Sequence, residues 1–313
     1  MKKSLLLGVM AVSLGTSLYA AEFINVLTGG TSGIYYPLGV ALSQMYAKAI
    51  PDSKTAVQAT KASVENLNLL QAGRGEAAIS LGDSLSDAYK GNAEAGFKAP
   101  LSKLRTIAAL YPNYIHFVAA ADSGITSFAD IKGKRISVGA PKSGTELNSR
   151  AILAAAGLSY KDFAKVEYLS YAESVELMKN RQLDVTLLSS GAGVAALRDL
   201  ATSQKVVFLN ISEEIVKKID DPAYQVGIIP ANTYEGQTAD VKTVSVQNFL
   251  VTHSGVSEKT VYTMTKTMFE NLDQMVAAHA AAKGISLENA AKNPPAPLHP
   301  GAEKYYKEMG LIK

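Results

Sequence analysis

Apolar strand-like runs alternate with amphipathic helical runs in two separate stretches of this chain, and that alternation leaves few folds open. In the first stretch Phe23–Leu27 is a strand, the Gly-Gly-Thr-Ser-Gly of 29–33 is a loop, and Tyr35–Ala49 is a helix with Leu38, Leu42 and Met45 on one face. Thr55–Ala59 is the next strand, and Ser63 is placed to cap a helix running through Gln71. Ala77–Leu81 is a third strand, followed by a turn at Gly82-Asp83-Ser84, a helix, and a fourth strand over Arg105–Leu110. The second stretch repeats the logic. Arg135–Val138 is a strand and 139–144 a loop; Ser143 and Glu146 form a capping box that opens a helix to Ala156, where Gly157 stops it. Val166–Leu169 is a strand, and a second box, Ser170 with Glu173, opens a helix ending near Asn180. Val185–Leu188 is a strand, Ser189–Gly193 a loop, Val194–Ala201 a helix and Lys205–Leu209 a strand.

This pattern predicts an α/β fold with mostly parallel sheets covered by helices on both faces. Ligands of such sheets bind outside the carboxyl ends of the strands, so two blocks of this kind would set two binding edges facing each other across a cleft. The C-terminal part is mostly helical, with Val261, Met264, Met268, Leu272 and Met275 recurring at core spacing. The Pro-rich 294–300 predicts an ordered extended crossing, because an amphipathic tail with Tyr305, Tyr306 and Met309 follows it.

Three loops share one design, in which small, hydroxyl- or Gly-rich residues follow a strand and open a helix: 29–33 with Gly30 and Thr31, 61–63 with Lys61 and Ser63, and 142–145 with Lys142, Ser143, Gly144 and Thr145. A helix start exposes unpaired N–H groups and a positive partial charge, and a glycine lets a ligand come close to them. Each loop alone is compatible with an ordinary capped helix; three of them, spread over both blocks, favour a site for a carboxylate or phosphate. Lys61 and Lys142 either supply point charges to such an anion or sit on the rim facing water. Tyr35, Tyr36 and Tyr171, at helix starts, either cover an apolar ligand stem or simply pack.

Enzyme signatures fail one by one. The glycines of 139–144 have P-loop spacing, but Thr145 stands where the lysine belongs. Gly191-Ala192-Gly193-Val194-Ala195-Ala196 fits a dinucleotide fingerprint after a strand, yet the next strand ends at Asn210 with no acidic residue for a ribose. There is no Gly-x-Ser-x-Gly elbow. His116, His253, His279 and His299 are scattered without metal-ligand spacing, and Asp220-Asp221 has the look of a turn, so neither a cofactor nor a metal is expected.

The N-terminus predicts export. Lys2 and Lys3 precede an apolar run over Leu5–Leu14, and Ala20 and Ala21 offer cleavage points before Glu22, so 1–21 is expected to be a cleaved signal peptide. No later stretch has the length and apolarity of a membrane span, and the mature chain is expected to be soluble. The chain contains no cysteine, which removes disulfides, thiol chemistry and the lipidated cysteine that tethers many secreted binding proteins. A freely diffusing product points to the periplasm. The chain has 31 basic and 28 acidic residues; without Lys2 and Lys3 the balance falls from +3 to +1, and no basic stripe suggests nucleic acid.

Thr28-Gly29-Gly30-Thr31-Ser32-Gly33-Ile34-Tyr35-Tyr36-Pro37-Leu38-Gly39 resembles the opening signature of the TAXI-type solute-binding proteins of tripartite ATP-independent periplasmic (TRAP) transporters. Ser63-Val64-Glu65-Asn66-Leu67 is similar to their second loop, 133–148 to the opening of their second lobe, and Pro297–Tyr306 to their C-terminal signature. The resemblance implies a type II periplasmic-binding-protein fold: 22–112 plus 241–313 as one lobe, 113–240 as the other, closing about a hinge as a monomer. It implies no catalysis, an ion-gradient-driven TRAP permease as partner, and small carboxylates such as glutamate or 2-oxoglutarate as ligands. Carried over by position, the ligand shell draws on Thr31, Tyr35, Ser63, Asp83, Ser143, Gly144, Thr145, Tyr171 and the turn at Ser190-Gly191. Lys61-Ala62 replaces the family's Gly-Gly, Lys142 replaces the glycine of Pro-Gly-Ser-Gly, and Leu81-Gly82-Asp83 replaces Gln-Ser-Asp. Two added lysines and a lost amide point to a dicarboxylate or keto-dicarboxylate. Two other readings use the same residues: a ligand module for a sensor system, and a secreted hydrolase with Ser143 as nucleophile.

Overall fold

Residues 22–313 are described in this computed structural model, so the expected signal peptide at 1–21 lies outside the described residues. The first block comprises β1 (Phe23–Leu27), α1 (Tyr35–Ala49), β2 (Lys54–Gln58), α2 (Ser63–Gln71), β3 (Ala77–Leu81) and α3 (Gly82–Lys90), and β4 (Leu104–Ala120) leaves it. The second comprises β5 (Arg135–Ser137), α4 (Gly144–Ala155), β6 (Lys165–Glu167), α5 (Tyr171–Lys179), β7 (Val185–Ser190), α6 (Ala195–Ser203), β8 (Val206–Leu209), α7 (Glu213–Ile219) and β9 (Tyr224–Ile229). Then β10 (Val241–His253) returns, and α8 (Glu258–Glu270), α9 (Leu272–Ala278) and α10 (Pro300–Glu308) close the chain.

The strands form one mixed sheet in the order β2-β1-β3-β10-β4-β7-β5-β6, with β8 on β4 and β9 on β10. Among the named strands, parallel pairing is confined to two islands, β2-β1-β3 and β6-β5-β7. The expectation of mostly parallel sheets is therefore corrected: two long antiparallel strands join the islands. The first part of β4 pairs with the end of β10, while its second part, from Tyr114 on, pairs with β7 and β8. The start of β10 pairs with β9 and its end with β3. Both strands thus belong to both halves of the sheet, and the chain crosses between the halves along them.

The sequence pattern ended the fourth strand at Leu110. The strand nevertheless continues to Ala120. Pro112 pairs with Gln247 where the register shifts between Gln247 and Phe249, an irregularity that suits a residue without an N–H. The methionine-rich segment is likewise two helices rather than one, broken at Asn271. The Pro-rich crossing is ordered: Thr106 N–H donates to the Pro297 carbonyl at 2.9 Å and His299 N–H to the Thr106 carbonyl at 2.9 Å. Tyr305 and Tyr306 pack into the core behind it, while Met309 stays exposed.

The helices dock because their apolar faces match the strands. On α1, Leu38, Leu42 and Met45 share a core with Ile24 and Val26 of β1 and with Val261, Met264 and Met268 of α8. A second core holds Ile136, Val138, Ile152 and Val185 under α4. Each fully buried aliphatic side chain contributes about 1.5–3 kcal/mol of transfer free energy, which holds the helix starts in place.

Candidate functional site

A cavity of about 110 Å³ lies where the two parallel islands meet. It is walled by the segments that leave β1, β2, β5, β6 and β7 at their carboxyl ends, the edge where a strand–helix crossover puts helix N-termini. Gly30, Tyr35, Lys61, Ser63, Ser143, Gly144, Thr145, Tyr171 and Ser190 all line it. Three of these, Ser63, Gly144 and Tyr171, are the first residues of α2, α4 and α5. Among the described residues, no charged side chain beyond that of the exposed Lys61 lines the cavity.

The helices α2 and α4 come from opposite halves and meet head to head. A methyl placed on Gly144 would lie 2.7 Å from the Ser63 hydroxyl and 2.6 Å from Leu81 Cδ1, so only glycine permits this approach. The Glu65 N–H in the first turn of α2 donates to the carbonyl of Lys142 at 3.2 Å. Ala62, just before α2, has φ 71 and ψ −145, and Lys142, just before Ser143, has φ 64. Both are the positions where the resembled family carries glycine. The backbone geometry of a glycine loop is therefore kept here by residues with a Cβ, at a strain cost of about 1–3 kcal/mol each.

Hydroxyl groups around the cavity are largely engaged with protein. Ser63 does not cap α2, as its position suggested; it is the first helical residue, and its Oγ accepts from the Leu81 N–H at 3.1 Å. The Ser143 hydroxyl donates to the Ala140 carbonyl at 2.7 Å and accepts from the Glu146 N–H at 3.1 Å. Only this half of the expected box forms, because the Glu146 carboxylate turns to Arg150 and Tyr160. The Ser170/Glu173 box forms in full. Tyr171 donates to the Ser189 carbonyl at 2.5 Å and sits 2.9 Å from the Thr145 hydroxyl. Tyr35 donates to Asn248 Oδ1 at 2.5 Å, and burial pushes its phenol well above the ordinary range. What these helix starts leave open is backbone: the N–H groups of Ser63, Gly144, Thr145 and Tyr171 have no hydrogen-bond partner among the described residues.

Five residues singled out from the sequence stand elsewhere. Thr31 and Lys142 are exposed beside the cavity rather than in its lining, and Tyr36 is half-buried outside it. Gly191 is buried against Ile34, Tyr111 and Ala281, so it serves contact between the halves. Asp83, 3 % exposed, lies behind the lining. Its Oδ1 accepts from the Ser84 N–H, and its Oδ2 accepts from Asn148 Nδ2 and Tyr224 Oη at 2.7 Å each. Asn148 Oδ1 accepts from Ser189, whose Oγ accepts from Asn113 at 2.7 Å. Burial raises the Asp83 carboxyl to about 6, the Tyr224 hydrogen bond opposing that rise and Asp87 and Asp221 adding to it. This buried network ties α3 of one half to α4 and β9 of the other. Its asparagines and Tyr224, and the lining residues Ser170 and Ser189, were not singled out as site residues; the Ser170 capping box was the one available signal.

Known structures resemble the whole described chain. PhnD1 from Prochlorococcus marinus, solved with methylphosphonate, superposes with a TM-score of 0.60 at 13% identity, over 94% of this chain and 100% of that one. The periplasmic binding protein BugD gives 0.57 at 12% identity, over 94% and 95%. The alkanesulfonate-binding protein SsuA from Xanthomonas axonopodis pv. citri, bound to MOPS, gives 0.50 at 17% identity, over 92% and 85%. At such identities the likeness carries the fold, which is the type II periplasmic-binding-protein fold. Residues 26–310 match the NMT1-like family, and the chain belongs to it.

Proposed function

We propose that this chain is a periplasmic solute-binding protein of the TAXI type, which captures a small organic anion and delivers it to an ion-gradient-driven TRAP permease. The ligand is a dicarboxylate, a keto-dicarboxylate or a glutamate-like molecule. One observation carries the reading: α2 and α4, from opposite halves of the sheet, begin at one cavity with unbonded N–H groups and, among the described residues, no buried cation. Helix ends of this kind hold an anion without a salt bridge. The halves act as lobes, 22–112 with 241–313 against 113–240, and the long strands β4 and β10 are the connection about which they open. Closure around the ligand excludes water and strengthens its hydrogen bonds, and the closed form is what a permease would recognise. Lys61 and Lys142 at the mouth draw anions toward it. Ser143, whose hydroxyl is committed to its cap, serves by holding the start of α4, which speaks against a nucleophile.

The test is native mass spectrometry of the protein with whatever it carries, followed by calorimetry with a panel of small carboxylates. Micromolar or tighter binding of a carboxylate supports the reading. Turnover of the bound molecule, or no affinity for any organic anion, overturns it.

A further inference from the structure

The cavity offers open N–H donors and no anionic acceptor. No aspartate or glutamate lines it. The acidic groups around it are committed elsewhere: Glu65 accepts from the Lys61 N–H at 2.6 Å, and Glu173 from the N–H and hydroxyl of Ser170 at 2.9 and 2.7 Å. Asp83 is behind the lining with both oxygens bonded to protein. Three carbonyls in the lining are engaged, that of Gly30 by the Gly33 N–H, that of Ala140 by Ser143 and that of Ser189 by Tyr171. On the donor side are the open N–H groups of Ser63, Gly144, Thr145 and Tyr171. A further donor stands nearby: the Tyr111 phenol is fully buried without a hydrogen-bond partner, close enough to Tyr35 and Tyr171 for ionisation of one to be opposed by the others.

An ammonium group has three N–H donors and no acceptor. Placed here, one carbon from a carboxylate held by helix N-termini, it would lose part of its water, find no anion and face the same positive partial charges. An oxo or hydroxyl oxygen at that carbon meets donors instead.

We propose that this lining, with no anionic acceptor, selects against protonated amines, so that the ligand is an unsubstituted, hydroxy- or oxo-acid rather than the amino acid of the same skeleton. This rests on the solute-binding reading of the same cavity. It is tested on the full mature chain by calorimetry with matched pairs: 2-oxoglutarate and 2-hydroxyglutarate against glutamate, malate against aspartate, pyruvate against alanine, and 2-hydroxyethanesulfonate against 2-aminoethanesulfonate. In every pair that binds, the amine-free member is expected to bind at least tenfold more tightly. An amino acid that binds as well as its amine-free counterpart overturns the proposal and leaves the solute-binding reading standing. Binding confined to the sulfonate pair removes the carboxylate assignment, and selection against the amine is then decided within that pair. Binding of none of these compounds overturns both.

Discussion

The Glu65 N–H donates to the Lys142 carbonyl across 3.2 Å, and this single backbone bond joins the first turn of α2 to the loop that opens α4. The acceptor residue Lys142 has φ 64, and Ala62, three residues before the donor, has φ 71. Backbone strain therefore lies at this seam between the two halves of the sheet.

Removing that strain should be measurable. Ala62→Gly frees a backbone conformation that is almost glycine-only, and a gain of about 1 kcal/mol is expected after the extra entropy of glycine in the unfolded chain is subtracted. Urea denaturation checks it; a loss of stability would mean that the Ala62 methyl, 3.3 Å from the Cβ position of Gly29, matters more than its backbone.

Gly144→Ala should act in the opposite direction and mainly on closure. Gly144 is outside the positive-φ set, so alanine meets no backbone penalty; its methyl meets Ser63 and Leu81 instead. Overpacking of this kind costs about 1–3 kcal/mol, which predicts a loss of ligand affinity of about five- to 150-fold. Small-angle scattering should show a more open molecule, while circular dichroism shows the fold retained.

Ser143→Ala removes the cap of α4 and should lower stability by about 1 kcal/mol. Because the hydroxyl is bonded to Ala140 and Glu146, affinity should fall less than tenfold. Calorimetry beside thermal denaturation separates the two effects, and a loss of affinity without a loss of stability would place the hydroxyl on the ligand.

Two buried groups give pH dependence of opposite sign. Burial raises Asp83 from 3.8 to about 6, so its stabilising contribution is complete below pH 4 and is lost as pH rises through 6. Burial lowers His116 from 6.5 to about 4, so its contribution is complete above pH 6.5 and is lost as pH falls through 4. Each shift corresponds to about 3 kcal/mol at 1.36 kcal/mol per unit, and the two largely offset between pH 4 and 6. Asp83→Asn should remove one of them. Denaturation midpoints from pH 4 to 7 are expected to vary little in the native chain and to rise with pH in the variant. Parallel profiles would show that Asp83 does not titrate in this window.

The alternation of strand and helix was legible because each element has its own period and stop signal. Tyr35–Ala49 and Ala77–Leu81 emerged with the bounds expected, and Gly157, at φ 75, ended its helix. The strands β9 and β10 were not legible: β10 pairs with three others over different parts of its length, so no single turn or period announces its partners, and β9 pairs with β10 alone. Nor was the continuation of β4 past Leu110, since the register irregularity beside Pro112 involves Gln247 and Phe249, far away in the chain.

The same division holds for the site. Local chemistry alone was enough to mark the helix starts at Ser63, Ser143–Thr145 and Tyr171, because small residues, caps and glycines act over a few neighbours. Only the tertiary structure decided that these starts share one cavity, that Lys142 contributes a carbonyl to the seam, and that Asp83 is locked behind the lining by Asn148 and Tyr224. Those facts depend on contacts between residues 65 to 141 positions apart in sequence, where local propensity has no reach and packing of the two halves decides which groups meet.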